Sequence, residues 1–287
     1  MKRTYTIAVL LLLLSGLQKT GHSQDRSFTY TYESGVLAKG NFELEAYTSL
    51  RSGRHNFYRA LDQRLEFEIG LAKNLQTAFY LNFGNKAYYG TQNVLIESGG
   101  VFVPSMDTSI LEEVSLGFSN EWKWKLSDPV ANTIGSALYF ELGLSPREIE
   151  TEVKLILDKS LGRSLHAVNL TLEPGWEVET EAGKTVSEFG MDIKINYALS
   201  YTLRDHWSLH MEVMNVNRYT KPEDKLKLST STLFGGPGFS YHEDRFWLNF
   251  TCLPQIAAIK HENASENGLN LNNHEKFQTR LIFSYAF

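Results

Sequence analysis

The chain has 287 residues with 28 Lys and Arg against 33 Asp and Glu, a formal net charge of -5, a single cysteine and 13% aromatic residues. The acidic balance excludes the basic face of a nucleic-acid binder, and the lone Cys252 excludes an internal disulfide framework. No apolar run after the first residues approaches the ~18 positions of a membrane helix, so a membrane-embedded form of this chain has to be a barrel.

In chain order, Lys2 and Arg3 precede the apolar run from Ile7 to Leu14, then Ser15, Gly16 and the polar KTGHSQDR. That order predicts a secretory signal peptide over 1–24, cleaved near Ser23 or Gln24. No cysteine follows the run, so a lipoprotein anchor is not expected. Residues 25–39, most of them in FTYTYESGVLAKG, read as a periplasmic lead-in or as an inserted plug. The remainder, 40–287, reads as one transmembrane β-barrel.

From residue 40 the dominant signal has period two. In NFELEAYTSLR, Phe42, Leu44, Ala46, Thr48 and Leu50 share one face, and Glu43, Glu45, Tyr47, Ser49 and Arg51 share the other. Residues 61–71 set Leu61, Leu65, Phe67, Ile69 and Leu71 against Asp62, Arg64, Glu66 and Glu68, and 75–83 repeat the pattern. Further strands are expected at 109–126, 133–144, 148–158, 164–173, 188–203, 207–214, 226–242 and 245–257. The chain closes on FQTRLIFSYAF, whose alternation runs to Phe287. The expectation is an all-β, antiparallel outer-membrane barrel of about twelve strands.

Connections alternate between short segments (AKN, SDPVAN, KSLGR, RDH, HED) and long ones at 84–108, 174–187, 215–225 and 258–273. Outer-membrane barrels have short periplasmic turns and longer outer loops, so both termini are expected in the periplasm. Aromatics gather at the short-turn ends. Trp122, Trp124, Tyr201, Trp207, Tyr241, Trp247, Tyr285 and Phe287 are expected to form the periplasmic aromatic girdle. GGPG at 235–238 marks a bend or bulge in the tenth strand, since Pro cannot donate a ladder bond.

The polar face supplies the lumen-lining candidates: Glu43, Glu45, Arg51, Asp62, Arg64, Glu66, Glu68, Glu113, Glu141, Glu150, Glu152, Lys154, Asp192, Lys194, Glu212 and Arg280. On the first two strands, charges of both signs are placed to form a ladder of pairs. Rings of carboxylates select cations, so a cation-favouring pore is one reading and a charge-filled, rigid lumen is the other. Acids two apart on a strand stand about 7 Å apart, but that spacing recurs on every inward acidic strand and singles out no catalytic pair. Ser208 and His210 share a face without an identifiable orienting residue. No H-E-x-x-H or paired C-x-x-C spacing occurs, so neither metal nor cofactor is expected.

The stretches GNFELEAYTSLRSGR, LDQRLEFEIGLAKNLQTAFYLN, GPGFSYHEDRFWLNFTCLPQI and RLIFSYAF resemble an uncharacterised family of outer-membrane barrels. That family is related to proteins of the meta-pathway of phenol degradation that are held to be transporters. The resemblance implies fold and location, and it carries no site residues. A terminal aromatic on an alternating strand likewise resembles the signature by which the barrel assembly machinery recognises its clients. The expected function is a narrow, cation-favouring channel or passive transporter for a small solute, in a monomer surrounded by outer-membrane lipid. The alternatives are an outer-membrane barrel enzyme acting on lipid or ester, and a non-conducting structural or surface-binding barrel.

Overall fold

The computed structural model describes residues 26–98, 101–181, 184–221, 225–261 and 267–287. The expected signal peptide and its cleavage site lie outside the described residues. Twelve antiparallel strands close into one barrel: β1 (Phe42–Ser52), β2 (Tyr58–Ala72), β3 (Leu75–Ser98), β4 (Val101–Ser127), β5 (Gly135–Leu144), β6 (Glu148–Leu161), β7 (Ser164–Glu181), β8 (Lys184–Arg204), β9 (Trp207–Thr220), β10 (Lys227–His242), β11 (Phe246–Lys260) and β12 (Phe277–Ala286). Each strand pairs with its sequence neighbours, and β1 with β12 closes the ring.

Period two decides which side chain goes where. Along β1, Glu43, Glu45, Tyr47 and Ser49 are buried in the interior while Leu50 is exposed outside. The same alternation leaves Leu65, Phe67, Phe79, Leu81, Phe118, Leu138, Phe140, Leu170, Leu281 and Phe283 on the outer wall. An apolar belt with polar groups within is the pattern of a barrel surrounded by hydrocarbon. Closing the sheet also removes every strand edge. The last main-chain hydrogen bond of the seam runs from the Phe287 N–H to the Phe42 carbonyl, 3.0 Å.

Two expected loops are strand instead. The 84–108 stretch continues the β3–β4 ladder without a register break from Leu75↔Trp124 to Ser98↔Val101. The 174–187 stretch similarly continues β7 and β8 out to Glu181↔Lys184. Main-chain hydrogen bonding in a two-stranded ladder needs no apolar alternation, which is why Gly- and Asn-rich sequence folds this way. The GGPG segment does not shift the β10–β11 register. Pairing lapses between Phe234↔Gln255 and Gly238↔Thr251 and resumes in phase, where Pro237 has no N–H to offer. The register shifts lie just before it, between Ser231 and Thr232 and between Leu233 and Phe234.

Residues 26–41 carry no regular structure and enter the barrel at its short-turn end. The entry depends on glycine. The Gly40 N–H bonds the Gly70 carbonyl at 2.8 Å and the Gly70 N–H bonds the Asn41 carbonyl at 3.1 Å. A Cβ on Gly70 would stand 2.1 Å from the Ala38 carbonyl oxygen.

Candidate functional site in the barrel lumen

The N-terminal segment crosses the inner wall strand by strand, and the wall binds it mainly through its backbone. The Arg26 carbonyl accepts from Asn249 Nδ2 of β11 (2.6 Å) and pairs with His242 Nε2 of β10 (2.7 Å). Ser240 Oγ donates to the Ser27 carbonyl at 2.8 Å. The Glu212 carboxylate of β9 accepts the N–H groups of Thr29, Tyr30 and Thr31 at 2.9, 2.9 and 2.8 Å. Asn196 of β8 donates to the Tyr30 carbonyl at 2.9 Å. Asn169 of β7 bonds both the N–H (2.6 Å) and the carbonyl (2.9 Å) of Tyr32. Asp158 of β6 accepts from the Ser34 N–H and hydroxyl at 2.8 and 2.7 Å, and Gln76 of β3 accepts from the Leu37 N–H at 2.8 Å.

This satisfies buried polar backbone, each unpaired group of which would cost about 1–3 kcal/mol. The aromatic side chains of the segment fill the space between. Phe28 packs with Ala167 and Ala198, Tyr30 against Met214, Val216, Phe234 and Leu253, and Tyr32 against Ala137, Tyr139 and Ile156. Three of the buried apolar clusters therefore lie inside the lumen around aromatic residues of this segment, and a fourth joins Tyr47, Trp247 and Ile282 of the wall itself. Of the segment 25–39, Arg26–Leu37 lie against the inner wall, and residue 25 lies outside the described residues.

Arg26 reaches across toward β1. It donates to the Tyr47 hydroxyl, stands 3.6 Å from Glu45 Oε2, and places its guanidinium 4.2 Å from the Tyr32 ring centroid. Around it the wall is acidic. Glu43, Glu45, Glu66, Glu68, Glu121 and Glu141 are all buried, with the wall's own Arg64 and Lys123 beside them. Trp247 and Ser284 donate to Glu43, Tyr80 to Glu121, and Tyr139 to Glu141. The ladder of opposite charges expected on β1 and β2 forms at Arg51–Asp62, 2.8 Å. Deeper in the lumen the register sets acid against acid, Glu43↔Glu68 and Glu45↔Glu66.

The other lumen candidates stand nearer the long-loop end. Asp192 takes a two-pronged contact from Arg218 at 3.0 and 2.9 Å, Glu152 pairs with Lys154 at 2.5 Å, and Lys194 pairs with Glu173. Glu150 is partly buried on the same wall. Arg280 donates to Ser49 Oγ at 2.8 Å and to the Thr29 carbonyl at 3.1 Å. Glu113 departs from the expectation. It keeps the inward parity, but β4 pairs with β5 only as far as Phe118, so Glu113 stands exposed above the rim, 2.7 Å from Lys86.

Trp247 also departs from it. It is fully buried in the lumen and donates its indole N–H to Glu43 at 2.7 Å, because Phe246 takes the outward position and period two sends Trp247 inward. Trp122, Trp124, Tyr201, Trp207 and Tyr285 are exposed on the outside near the short turns. Tyr241 packs on Trp207 with ring centroids 4.8 Å apart, and Phe287 on Tyr285 at 5.3 Å.

Ser208 and His210 bond different partners. Ser208 bonds Thr202 at 3.3 Å, while His210 meets the Phe28 ring edge to face, 5.6 Å between centroids, and contacts Ser240 (3.2 Å) and Thr251 (2.8 Å). Sequence reasoning found Glu212 and Arg280 as lumen residues but not their role. It did not count Gln76, Asn169, Asn196 or Asn249 among the lumen candidates, where their signal is a polar amide at inward parity.

The chain belongs to a family of unknown function, DUF6662, whose model matches residues 20–287. No curated protein matches the sequence. Among solved structures the chain is similar to the KdgM porin (10% identity, 85% of this chain and 99% of that one, TM-score 0.45). It is also similar to the NanC porin (10%, 84% and 98%, 0.48) and to the beta domain of the Bordetella autotransporter BrkA (7%, 87% and 100%, 0.49).

Proposed function

We propose that this family member is an outer-membrane barrel through which a small solute passes, and that residues 26–39 are the stopper that closes the passage. The carrying observation is the seat itself. The segment lies across the lumen and is held to the wall by hydrogen bonds and aromatic packing, with no covalent tie to it. Such contacts can open on the time scale of local unfolding. Twelve strands enclose more room than the eight that side chains fill and less than the 16 to 18 of open porins, and here the segment takes up that room. The apolar outer wall and the aromatics by the short turns support an outer-membrane location with those turns and both termini in the periplasm.

The finer reading is a cation preference. Once the segment and its Arg26 leave, the β1–β5 wall keeps Glu43, Glu45, Glu66, Glu68, Glu121 and Glu141 against Arg64 and Lys123, a field that favours cations. Reversal potentials under a salt gradient test it: Glu66→Gln with Glu68→Gln should lower the cation preference, and unchanged selectivity would remove both residues from the account. The resemblance to an uncharacterised outer-membrane barrel family, related to supposed meta-pathway transporters, is in keeping with a transport barrel and assigns no solute. The aromatic C-terminal strand supports insertion by the barrel assembly machinery, and the closed apolar wall supports a monomer in lipid. The buried segment also favours a second reading, a barrel that never conducts, and the same recordings separate the two.

A further inference from the structure

Glu45, Glu66 and Glu68 each offer a carboxylate oxygen, and those oxygens lie within 4.8 Å of one another. All three residues are at most 4% exposed. One oxygen on each, Oε2, has no hydrogen-bond partner. Buried ionised carboxylates are paired or coordinate metals, since an isolated one is too costly to bury. The pairing at hand falls short. Arg26 stands 3.6 Å from Glu45 Oε2 without a hydrogen bond to it, and Gln76 Nε2 serves the other oxygen of Glu68 at 3.3 Å.

The register sharpens the problem. Glu45 faces Glu66 directly across the β1–β2 ladder and Glu43 faces Glu68 on the next inward rung. Like charges placed so are destabilising, and either a shared proton or a cation between them relieves the repulsion. Oxygens within 4.8 Å of one another need only small side-chain rotations to reach one ion at the 2.3–2.6 Å of a calcium–oxygen bond. An all-carboxylate donor set suits a hard cation and not zinc or copper. A cavity of about 10 Å³ adjoins the group, lined by Glu45 and Glu68 with Arg26, Tyr32, Glu33 and Lys123. That is room for about one water, which could complete a coordination shell.

We propose that Glu45, Glu66 and Glu68 form a binding site for one hard divalent cation of the calcium type on the inner face of the β1–β2 hairpin. The ion would tie these strands together beside the N-terminal segment. The site does not depend on the barrel conducting.

Calcium titrated calorimetrically into chelator-washed protein, refolded free of lipopolysaccharide, tests the site. One calcium per folded chain is expected, with a higher thermal unfolding midpoint. Glu66→Gln and Glu68→Gln should each weaken binding about tenfold or more, while Asp244→Asn, at an exposed turn, should leave it unchanged. Heat-modifiable migration on gels reports folding of each variant. The wild-type titration stands by itself if a variant fails to fold. No calcium uptake by folded wild-type protein would overturn the proposal, as would uptake that Glu66→Gln and Glu68→Gln leave intact.

Discussion

Glu212 Oε1 holds Thr29 twice, accepting its N–H at 2.9 Å and its hydroxyl at 3.1 Å. The other carboxylate oxygen takes the next two N–H groups, at 2.9 and 2.8 Å, and Thr251 Oγ1 also donates to Oε1 at 2.8 Å. A single β9 side chain thus anchors three consecutive residues of the lumen segment. Glu212→Ala leaves those donors buried and unpaired, at about 1–3 kcal/mol each if they stay dry. The segment should lift instead. Hydrogen exchange at Thr29–Thr31 should speed up by at least about tenfold while the β1–β12 seam stays protected. Equal protection in both proteins would mean that Glu212 does not hold the segment.

The two environments of tryptophan give a second prediction. Trp122, Trp124 and Trp207 are exposed on the outer wall and Trp247 is fully buried inside. In vesicles of brominated lipid, single-tryptophan variants keeping one of the first three should be strongly quenched, and one keeping Trp247 should not. Trp247→Phe keeps the packing but strips Glu43 of its indole donor at 2.7 Å. It should cost about 1–3 kcal/mol in a denaturant titration.

The period-two faces on β1, β2 and β12 were legible because lipid and lumen impose opposite chemistry on successive residues. That same rule places Trp247 inside once Phe246 is outside, yet aromatic clustering near a turn pointed the other way. The extensions of the β3–β4 and β7–β8 hairpins beyond the expected strands escaped notice because backbone pairing there needs no alternating pattern. The seat escaped for another reason. Asn169, Asn196 and Asp158 look in sequence like any inward polar filler, and only the fold brings them to one strip of backbone. Glu45, Glu66 and Glu68 were legible as inward acids, but whether they pair with bases or meet each other depends on the register.

Glycine gives a third prediction. A Cβ on Gly238 would stand 2.0 Å from His210 Nε2 and 2.4 Å from the Phe250 carbonyl oxygen, and the backbone oxygen cannot swing aside. Gly238→Ala should therefore abolish or strongly slow refolding of the barrel, read as loss of heat-modifiable migration on gels. Gly190→Ala is the contrast, since its Cβ would meet only the Tyr219 carbonyl at 3.9 Å. Refolding of both to the same extent would contradict the packing described for β9–β11.

The long segment between β11 and β12 carries a pH dependence. His274 is buried, faces Thr230 Oγ1 at 3.2 Å and the Phe234 ring at 6.0 Å, and has Arg218, Asp192 and Arg54 as its charged surroundings. Burial foremost, with Arg218 next, pushes its pKa down to about 4. A base whose folded pKa is depressed takes its proton more readily in the unfolded segment. Docking is therefore unaffected at neutral pH and weakens as pH falls from about 6.5 to about 4. At about 1.4 kcal/mol per pKa unit the loss reaches a few kcal/mol. Hydrogen exchange at 267–276 should rise over that window, and His274→Gln should flatten the response. A flat wild-type profile would show that His274 does not titrate with docking.

The most direct test of the stopper is single-channel recording in planar bilayers of the refolded wild-type protein beside a Glu212→Ala, Asn169→Ala variant. If residues 26–39 close the passage, wild-type protein should show rare, brief openings and the variant long-lived steps of the same or larger size. Silence from both folded proteins, or identical conductance in both, would contradict the account.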